Sequence, residues 1–306
     1  MWTTQNTKRN SVPNAVVVGL GKNSISCAAF LIDEGWDVEM LDVKPHPQLE
    51  RLVESELPGI MIHTEVDPHA FMNSELVVMT RAMTGLYSEV VDLAGQYGCR
   101  TMTSLELFFE CSNKPIATIV GNNGKSTVLA LVDAIASSQG QAACIDAKNG
   151  YPFLDLLDAS QPDTYILELS TQQLAQAQSV SPDIVAILNQ AVEQVKENGG
   201  TPSIDAMTRV ASNARMSVLN RDDPVVSRMG ICGTSIEYGL SEPKRDSDYG
   251  ILPEGTSRWI AKGAEKLIKL DHCELQGSHN ELNILAACAV ADAVGYSVSA
   301  AHSTIK

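Results

Sequence analysis

The chain has 306 residues, of which 44% are hydrophobic, so it is long and apolar enough for two domains with buried cores. Its formal net charge of −15 argues against nucleic acid or an anionic membrane as a partner. No apolar run reaches the roughly 18 residues that cross a bilayer, and seven cysteines without a C-x-x-C pair predict reduced thiols, a cytoplasmic location and no zinc site. Residues 1–14 are polar and are predicted to be a disordered lead-in that lacks the form of a secretory signal.

An apolar strand over Ala15–Gly19 opens the first predicted domain, and a helix of small and apolar residues follows over Ile25–Ile32. The turn between them reads G-x-G-x-x-S, which is a Rossmann-like opening with Ser24 in place of the third glycine. The next strand, Asp37–Leu41, ends at Asp42, where a dinucleotide-binding fold places the carboxylate that contacts a ribose. A tight strand–helix turn without a ligand is the alternative for this motif.

Alternating strands and helices continue along the chain, with a strand over Leu76–Met79 and a helix over Ser88–Tyr97. This alternation predicts a parallel sheet with helices on its faces. The polar segment Cys111–Pro115 ends in a proline and is a predicted boundary, which gives domains over 15–112 and 113–306.

A glycine-rich turn opens the second predicted domain, between a strand over Ile116–Val120 and a helix over Ser126–Ala136. Strand, glycine turn, Lys-Ser and helix are the layout of a phosphate-binding loop, although Ile119 stands where the usual pattern has its first glycine. Backbone N–H groups and the helix N-terminus attract phosphate oxygens, a lysine reaches the outer phosphates, and a hydroxyl is offered to Mg²⁺. The candidate nucleotide-binding residues are Gly121, Asn122, Asn123, Gly124, Lys125, Ser126 and Thr127. An ordinary strand-to-helix turn is the alternative.

The strand over Thr164–Leu169 carries one carboxylate, Glu168, near its end, which is a candidate Mg²⁺ ligand. The alternative for this residue is an edge-strand glutamate that faces solvent. Residues 235–270 are predicted to be β-rich, with Gly and Pro turns. Further predicted elements are strands over Ala143–Ile145, Ile184–Leu188 and Ser217–Asn220, and a helix over Glu281–Val294.

Five ordered segments of the chain resemble the motifs of the Mur ligases. The loop is similar to the family's G-T-N-G-K-S-T, YILELSTQQL looks like its E-L-S-S-F-Q-L segment, and the first domain resembles its UDP-binding domain. The resemblance implies an α/β fold with a Rossmann-like N-terminal domain and a central P-loop ATPase-type domain. The matching segments are Ile119–Thr127, Tyr165–Leu174, Leu188–Asn189, Asn220–Asp223 and Gly277–Asn283.

The resemblance also implies a chemistry. In the family, ATP phosphorylates a substrate carboxylate and an amino acid then attacks the acyl phosphate to form an amide. By resemblance, Lys125 and Ser126 bind phosphate and a first Mg²⁺, Glu168 binds a metal, and Asn280 lies near the nucleotide with Asn220 and Asp223. The implied ligands are ATP or ADP with Mg²⁺ and a UDP-sugar precursor. The predicted precursor contacts are Gly21, Lys22, Asn23, Asp42, Thr80 and Lys148.

The sequence departs from the family's pattern in five respects. Gln194 stands where the family has a metal-binding histidine, and Met207 stands where it has a carbamylated lysine that bridges the metals. A thioether neither forms a carbamate nor binds a hard cation. In the precursor pocket, Thr80-Arg81-Ala82 replaces an S-P-G loop and Lys148 replaces an asparagine. The chain stops at Lys306, so the family's third domain is expected to be absent.

These departures predict a degenerate relative, or pseudoenzyme, that has little or no ligase activity but still binds nucleotide. An active ATP-dependent ligase, or a fragment of one, is the first alternative. A binding or scaffold protein with a protein partner is a second. An NAD(P)-binding oxidoreductase that uses Gly19–Asp42 is a distant third.

Overall fold

The computed structural model describes residues 12–80, 85–141, 143–145, 152–158, 162–190, 202–270 and 277–299. The chain divides into two compact units, and the predicted strands at Ala15–Gly19 and Ile116–Val120 lie in separate sheets. The prediction of an α/β fold with parallel sheets is confirmed. Within the described residues, no helix is both long and apolar enough to cross a membrane.

The first unit is built on a five-stranded parallel sheet in the order β3-β2-β1-β4-β5. Val16, Val17 and Val18 of β1 are fully buried, as expected for a central parallel strand that is covered on both faces. The elements are β1 (Asn14–Val18), α1 (Lys22–Asp33), β2 (Asp37–Leu41), α2 (Pro47–Glu56), β3 (Met61–His63), α3 (His69–Met72), β4 (Ser74–Met79), α4 (Leu86–Gln96), β5 (Arg100–Thr103) and α5 (Ser104–Cys111).

The second part of the chain forms a nine-stranded sheet in the order β14-β13-β12-β11-β10-β9-β6-β8-β7. The predicted β-rich stretch at 235–270 is four strands that extend this sheet, and its last two strand pairs are antiparallel. The elements are β6 (Ile116–Val120), α6 (Lys125–Ser138), β7 (Ala143–Ile145), α7 (Asp155–Asp158), β8 (Thr164–Leu169), α8 (Thr171–Gln176), β9 (Ile184–Ile187), α9 (Pro202–Asn213), β10 (Met216–Asn220), β11 (Ser235–Tyr238), β12 (Tyr249–Glu254), β13 (Ser257–Lys262), β14 (Glu265–Lys269) and α10 (Ser278–Val294).

Helices α6 and α10 share one apolar core with this sheet. Residues 284–291 of α10 are all buried, and five of these eight are alanine or cysteine, so the helix packs closely against its neighbours. Gly295 ends α10 in the left-handed conformation, with φ of +103°. The core holds the amino ends of α6 and α10 beside the glycine turn after β6.

The division between the units falls between Ser112 and Asn113, but the first unit also takes Asn149–Ser160 and Gln176–Ser179 from later in the chain. The predicted domains were continuous in sequence, and two contacts explain the difference. The ring of Phe153 packs on that of Phe108 in α5, with centroids 6.1 Å apart. The Glu106 carboxylate accepts hydrogen bonds from the backbone N–H and the hydroxyl of Ser179, at 2.8 and 2.9 Å.

Glu106 also caps α5, because its Oε2 accepts from the Thr103 backbone N–H at 2.7 Å and from the Thr103 hydroxyl at 2.9 Å. Burial by itself would raise the pKa of Glu106, but the hydrogen bonds from Thr103 and Ser179 outweigh burial and hold that pKa below its ordinary value. The carboxylate therefore stabilises the folded chain at neutral pH. This contribution is present above the unfolded-state pKa of about 4.3 and is lost as the pH falls through the folded-state pKa.

We expect Glu106→Gln to lower the free energy of unfolding by about 1–3 kcal/mol near neutral pH, because an amide accepts these hydrogen bonds less strongly and adds donors of its own. Urea unfolding at about pH 7 and about pH 3 should show the difference between the variant and the wild type shrinking at acidic pH. Glu89→Gln, at an exposed position of α4, is the control and should change little. A difference that stays constant with pH would contradict the proposed role of the carboxylate.

Candidate functional site

The glycine turn lies at the carboxyl end of β6, between β8 and β9 in the middle of the second sheet. Helix α6 begins at Lys125, one residue before the predicted start. Gly124 precedes it with φ of +85°, and a Cβ atom there would lie 2.5 Å from the side-chain oxygen of Asn283. A side chain at position 124 therefore fits neither the backbone conformation nor the space.

Asn189 holds the turn through its side chain. Its Oδ1 accepts from the backbone N–H groups of Asn122 and Asn123, both at 3.0 Å, and its Nδ2 donates to the Asn123 carbonyl at 2.9 Å. Two of the N–H groups that were predicted to cradle phosphate are therefore engaged with Asn189. The remaining part of the cradle is the start of α6 at Gly124–Thr127, where the first helical N–H groups have no acceptor within the helix.

Three polar groups converge beside the start of α6. The Ser126 hydroxyl donates to Glu168 Oε2 at 2.8 Å, and Lys125 Nζ lies 3.7 Å from Glu168 Oε1. Lys125 Nζ also donates to the Gly121 carbonyl at 2.6 Å. The parallel register of β6 and β8 pairs Glu168 with Ile119, so the carboxylate lies next to the turn.

Glu168 is 5% exposed and lies on β8, which has β6 on one side and β7 on the other. The alternative of an edge-strand glutamate that faces solvent is therefore wrong. A hydroxyl and a carboxylate oxygen are the donor types that Mg²⁺ prefers, and Mg²⁺ takes its other ligands from phosphates and water. Ser126 and Glu168 thus fit one Mg²⁺ site.

A cavity of about 300 Å³ adjoins the turn, a size that suits part of a small-molecule ligand. Burial, with the nearby Asp223 and Asp222 carboxylates, raises the pKa of Tyr238 in its wall, so the phenol stays protonated. Residues that line the cavity include Asn122, Asn189, Gln190, Tyr238, His279 and Asn283.

The turn from Asn220 to Asp223 forms another part of the cavity wall. Asn220 is buried, and both ends of its amide are used: Nδ2 donates to the Leu188 carbonyl at 2.8 Å and Oδ1 accepts from Asp222 N–H at 3.0 Å. Asp223 Oδ1 accepts from two backbone N–H groups at 2.9 Å, and its Oδ2 accepts from Gln190 N–H at 3.3 Å. These side chains shape the wall, and their predicted contact with nucleotide stays a prediction.

The structure places Asn283, rather than Asn280, among the residues that line the cavity. Met207, on α9, is completely buried. Lys148 and Gln194 lie outside the described residues, as do Arg81 and Ala82.

In the first unit, the residues after β1 and β4 come together at the carboxyl edge of the sheet, where the strand order reverses. The Ser24 and Thr80 hydroxyls are 2.6 Å apart, and Thr80 donates to the Val18 carbonyl at 2.6 Å. Gly21 lies before α1, and Lys22 and Asn23 form its first turn. Four of the predicted precursor contacts, Gly21, Lys22, Asn23 and Thr80, lie at this edge, and their contact with a ligand stays a prediction.

Asp42 differs from its predicted setting, because it is completely buried rather than exposed to a ligand. Its Oδ1 accepts from the Tyr87 hydroxyl at 2.9 Å and from Lys44 N–H at 3.1 Å. Ligand contact by Asp42 would require this carboxylate, which is 0% exposed, to become accessible.

Several wall residues were not predicted from sequence, among them Gln190, Tyr238 and His279. Gln190 follows β9, Tyr238 ends β11 and His279 lies in the first turn of α10, and these elements are far apart in the chain. Asn189 belongs to the Leu188–Asn189 segment, for which the sequence predicts no role. Its position just after an apolar strand was the available signal, since polar residues at the carboxyl ends of parallel strands line ligand sites.

The fold and the site define an α/β protein in whose second unit a buried strand, a glycine turn, Lys125-Ser126 and a helix follow one another. Two family descriptions match the chain: "Mur ligase MurD-like, N-terminal domain" over residues 13–91 and "Mur ligase middle domain" over residues 119–291. The second match covers more than half of the chain. The chain therefore belongs to the Mur ligase family.

Two curated relatives are both UDP-N-acetylmuramoylalanine–D-glutamate ligases. The protein from Methylococcus capsulatus is 32% identical over 294 residues, which cover 92% of this chain and 61% of the relative. The protein from Legionella pneumophila (strain Paris) is 28% identical over 296 residues, which cover 95% of this chain and 66% of the relative. The chain thus spans less than two thirds of the length of these relatives.

Solved structures share the fold at lower identity. A UDP-N-acetylmuramate:L-alanyl-gamma-D-glutamyl-meso-diaminopimelate ligase from Neisseria meningitides superposes with a TM-score of 0.62 at 14% identity, covering 96% of this chain and 98% of that one. A pseudomurein peptide ligase type C from Methanothermus fervidus gives a TM-score of 0.56 at 17% identity, covering 96% of this chain and 70% of that one.

Proposed function

We propose that the second unit binds ATP or ADP with Mg²⁺, and that the chain is a relative of the D-glutamate ligases with little or no ligase activity. The observation that carries the nucleotide site is the convergence of Lys125, Ser126 and Glu168 at the start of α6, next to the cavity. Family membership supports the same ligand.

The proposed phosphate site uses the helix start and one lysine. The N–H groups at Gly124–Thr127 and the helix dipole attract phosphate oxygens. On binding, Lys125 exchanges its hydrogen bond with the Gly121 carbonyl for one with an outer phosphate, a move that its flexible side chain permits. Bound Mg²⁺ would neutralise phosphate charge, and Ser126 and Glu168 would hold it.

We propose low activity because Met207 occupies the position that resembles the family's bridging lysine. Met207 is 0% exposed, and its thioether is a poor ligand for a hard cation. Loss of a group that stabilises the phosphate during its transfer raises the activation free energy by roughly 3–4 kcal/mol. This is the effect of removing one oxyanion-hole donor. In the sequence, Gln194 stands where the family has a metal-binding histidine, which also favours low activity.

The first unit is proposed to bind a UDP-sugar precursor weakly, at the carboxyl edge of its sheet near Gly21, Lys22, Asn23 and Thr80. Lys22 adds positive charge there for a diphosphate. The Thr80 hydroxyl is engaged with Ser24 and Val18, so it is less available to a ligand.

Two measurements test this proposal. In calorimetry with ADP and Mg²⁺, we expect Lys125→Ala to weaken binding by about tenfold or more, because a charge-assisted hydrogen bond contributes roughly 1.5–3 kcal/mol. Lys266→Ala, at an exposed position of β14, should leave the affinity for ADP unchanged. If the wild type binds no nucleotide, the loop is only a structural turn. That result would favour the alternative function, a scaffold that binds a protein partner.

The second measurement is phosphate release from ATP with UDP-N-acetylmuramoylalanine and D-glutamate. We expect no release above a protein-free blank. Clear turnover by the unmodified chain would overturn the inactive assignment and support an active D-glutamate ligase, or part of one.

A further inference from the structure

Gln190 combines deep burial with an unused hydrogen-bond acceptor. The residue is 3% exposed, and its Oε1 accepts no hydrogen bond within the described part of the chain. Most buried polar side-chain atoms in proteins have a partner, so an amide oxygen without one calls for an explanation.

The backbone fixes Gln190 at the cavity. Its N–H donates to Asp223 Oδ2 at 3.3 Å, which ties the end of β9 to the turn after β10, and the residue lines the cavity. Two neighbouring amides in the same wall are already used at both ends. Asn189 bonds the glycine turn, and Asn220 bonds Leu188 and Asp222.

We propose that Gln190 selects the base of the nucleotide by accepting a hydrogen bond from the exocyclic amine of adenine. This inference rests on the proposed nucleotide function. A side-chain amide matches adenine at two points, because its oxygen accepts from the amine while its nitrogen donates to a ring nitrogen. On the same edge guanine presents two acceptors, O6 and N7, so neither orientation of the Gln190 amide, with its one donor and one acceptor, satisfies both. Rotation about the last side-chain torsion of Gln190, which is broad, exchanges the two ends of the amide toward the cavity.

The test is a double cycle between the protein and the ligand. ADP is compared with purine riboside 5′-diphosphate, which lacks only the exocyclic amine, and wild type is compared with Gln190→Met, which keeps the volume but removes the amide. Calorimetry on the full chain with Mg²⁺ gives four Kd values. We expect wild type to bind ADP about tenfold or more tightly than the analogue, and Gln190→Met to bind both with equal Kd.

A structural role for Gln190 predicts a different pattern. Gln190→Met would then weaken both ligands by the same factor, and this result would overturn the proposal. So would an unchanged preference for ADP in the variant. The thermal midpoint of the unliganded variant should equal or exceed that of wild type, because an unpartnered buried acceptor is removed. If wild type binds neither nucleotide, the proposed function itself has failed. If it binds both equally, the nucleotide site stands and base selection by Gln190 is wrong.

Discussion

Gly124→Ala should weaken nucleotide binding by about 100-fold. The added Cβ would lie 2.5 Å from the Asn283 side-chain oxygen, and the backbone at φ of +85° disfavours any side chain by about 1–2 kcal/mol. Either the turn or the start of α10 must shift, and the helix-start N–H groups then no longer point to one phosphate. Losing one or two charge-assisted hydrogen bonds corresponds to an affinity loss of about 100-fold.

Gly140→Ala is a matched control for this prediction. Gly140 lies just after α6 with φ of +70°, and a Cβ there would meet nothing within 4 Å. The control shares the backbone penalty without the clash, so it should lower the free energy of unfolding by about 1–2 kcal/mol and leave the Kd for ADP unchanged.

A second variant separates the clash from loss of folding. Asn283→Ala opens space at position 124, so the double variant Gly124→Ala/Asn283→Ala should recover stability relative to Gly124→Ala. Urea unfolding and calorimetry with ADP are the measurements. Binding by Gly124→Ala within threefold of wild type would mean that the start of α6 is not the phosphate cradle.

The sequence predicted local structure well, because each element has a strong local signal. TYILEL is apolar with β-branched and aromatic residues, and β8 occupies the predicted residues Thr164–Leu169. The position of β8 in the sheet was not predicted. Whether Glu168 faces solvent or the turn depends on the strand order and on the register with Ile119, which involve residues about 50 positions apart.

The same limit applies to the cavity wall. Asn189, Tyr238 and His279 come from separate elements, and the strand order β11-β10-β9-β6 and the packing of α10 bring them together. Gln190 follows a predicted strand, but whether a donor among the described residues reaches its side-chain oxygen depends on the surroundings in three dimensions. Long-range pairing of this kind has no local signature in the chain.

Met207→Lys would put a lysine at the position that resembles the family's carbamylated lysine. The burial of position 207 determines how much stability this substitution loses. Met207 is 0% exposed, and Ala206, Val210 and Ala211 around it on α9 are also buried. Burying an ammonium group in apolar surroundings lowers its pKa by up to 3–5 units, at about 1.4 kcal/mol per unit. We therefore expect the variant to lose about 3–5 kcal/mol of stability near neutral pH, whereas Met207→Leu should lose less than about 1.5 kcal/mol.

The stability that Met207→Lys loses should depend on pH. A buried lysine has a folded-state pKa below its unfolded value of about 10.4, so between these two values the unfolded chain binds more protons and stability rises with pH. Urea unfolding at about pH 7 and about pH 9.5 should therefore show Met207→Lys gaining on Met207→Leu at the higher pH. Equal stability of the two variants at neutral pH would mean that the lysine reaches solvent or a partner, and the argument from burial would be wrong.

The neutral amine favoured by burial is also the form that combines with CO₂ to give a carbamate and a proton. If position 207 is the family's metal-bridging position, bicarbonate with Mg²⁺ and ADP should stabilise Met207→Lys more than it stabilises Met207→Leu, because binding to the folded state shifts unfolding by mass action. Phosphate release from ATP by Met207→Lys, with none from wild type, would identify the site as a ligase centre that lost its lysine. An identical response of both variants to bicarbonate would place position 207 in the core without a link to the nucleotide site.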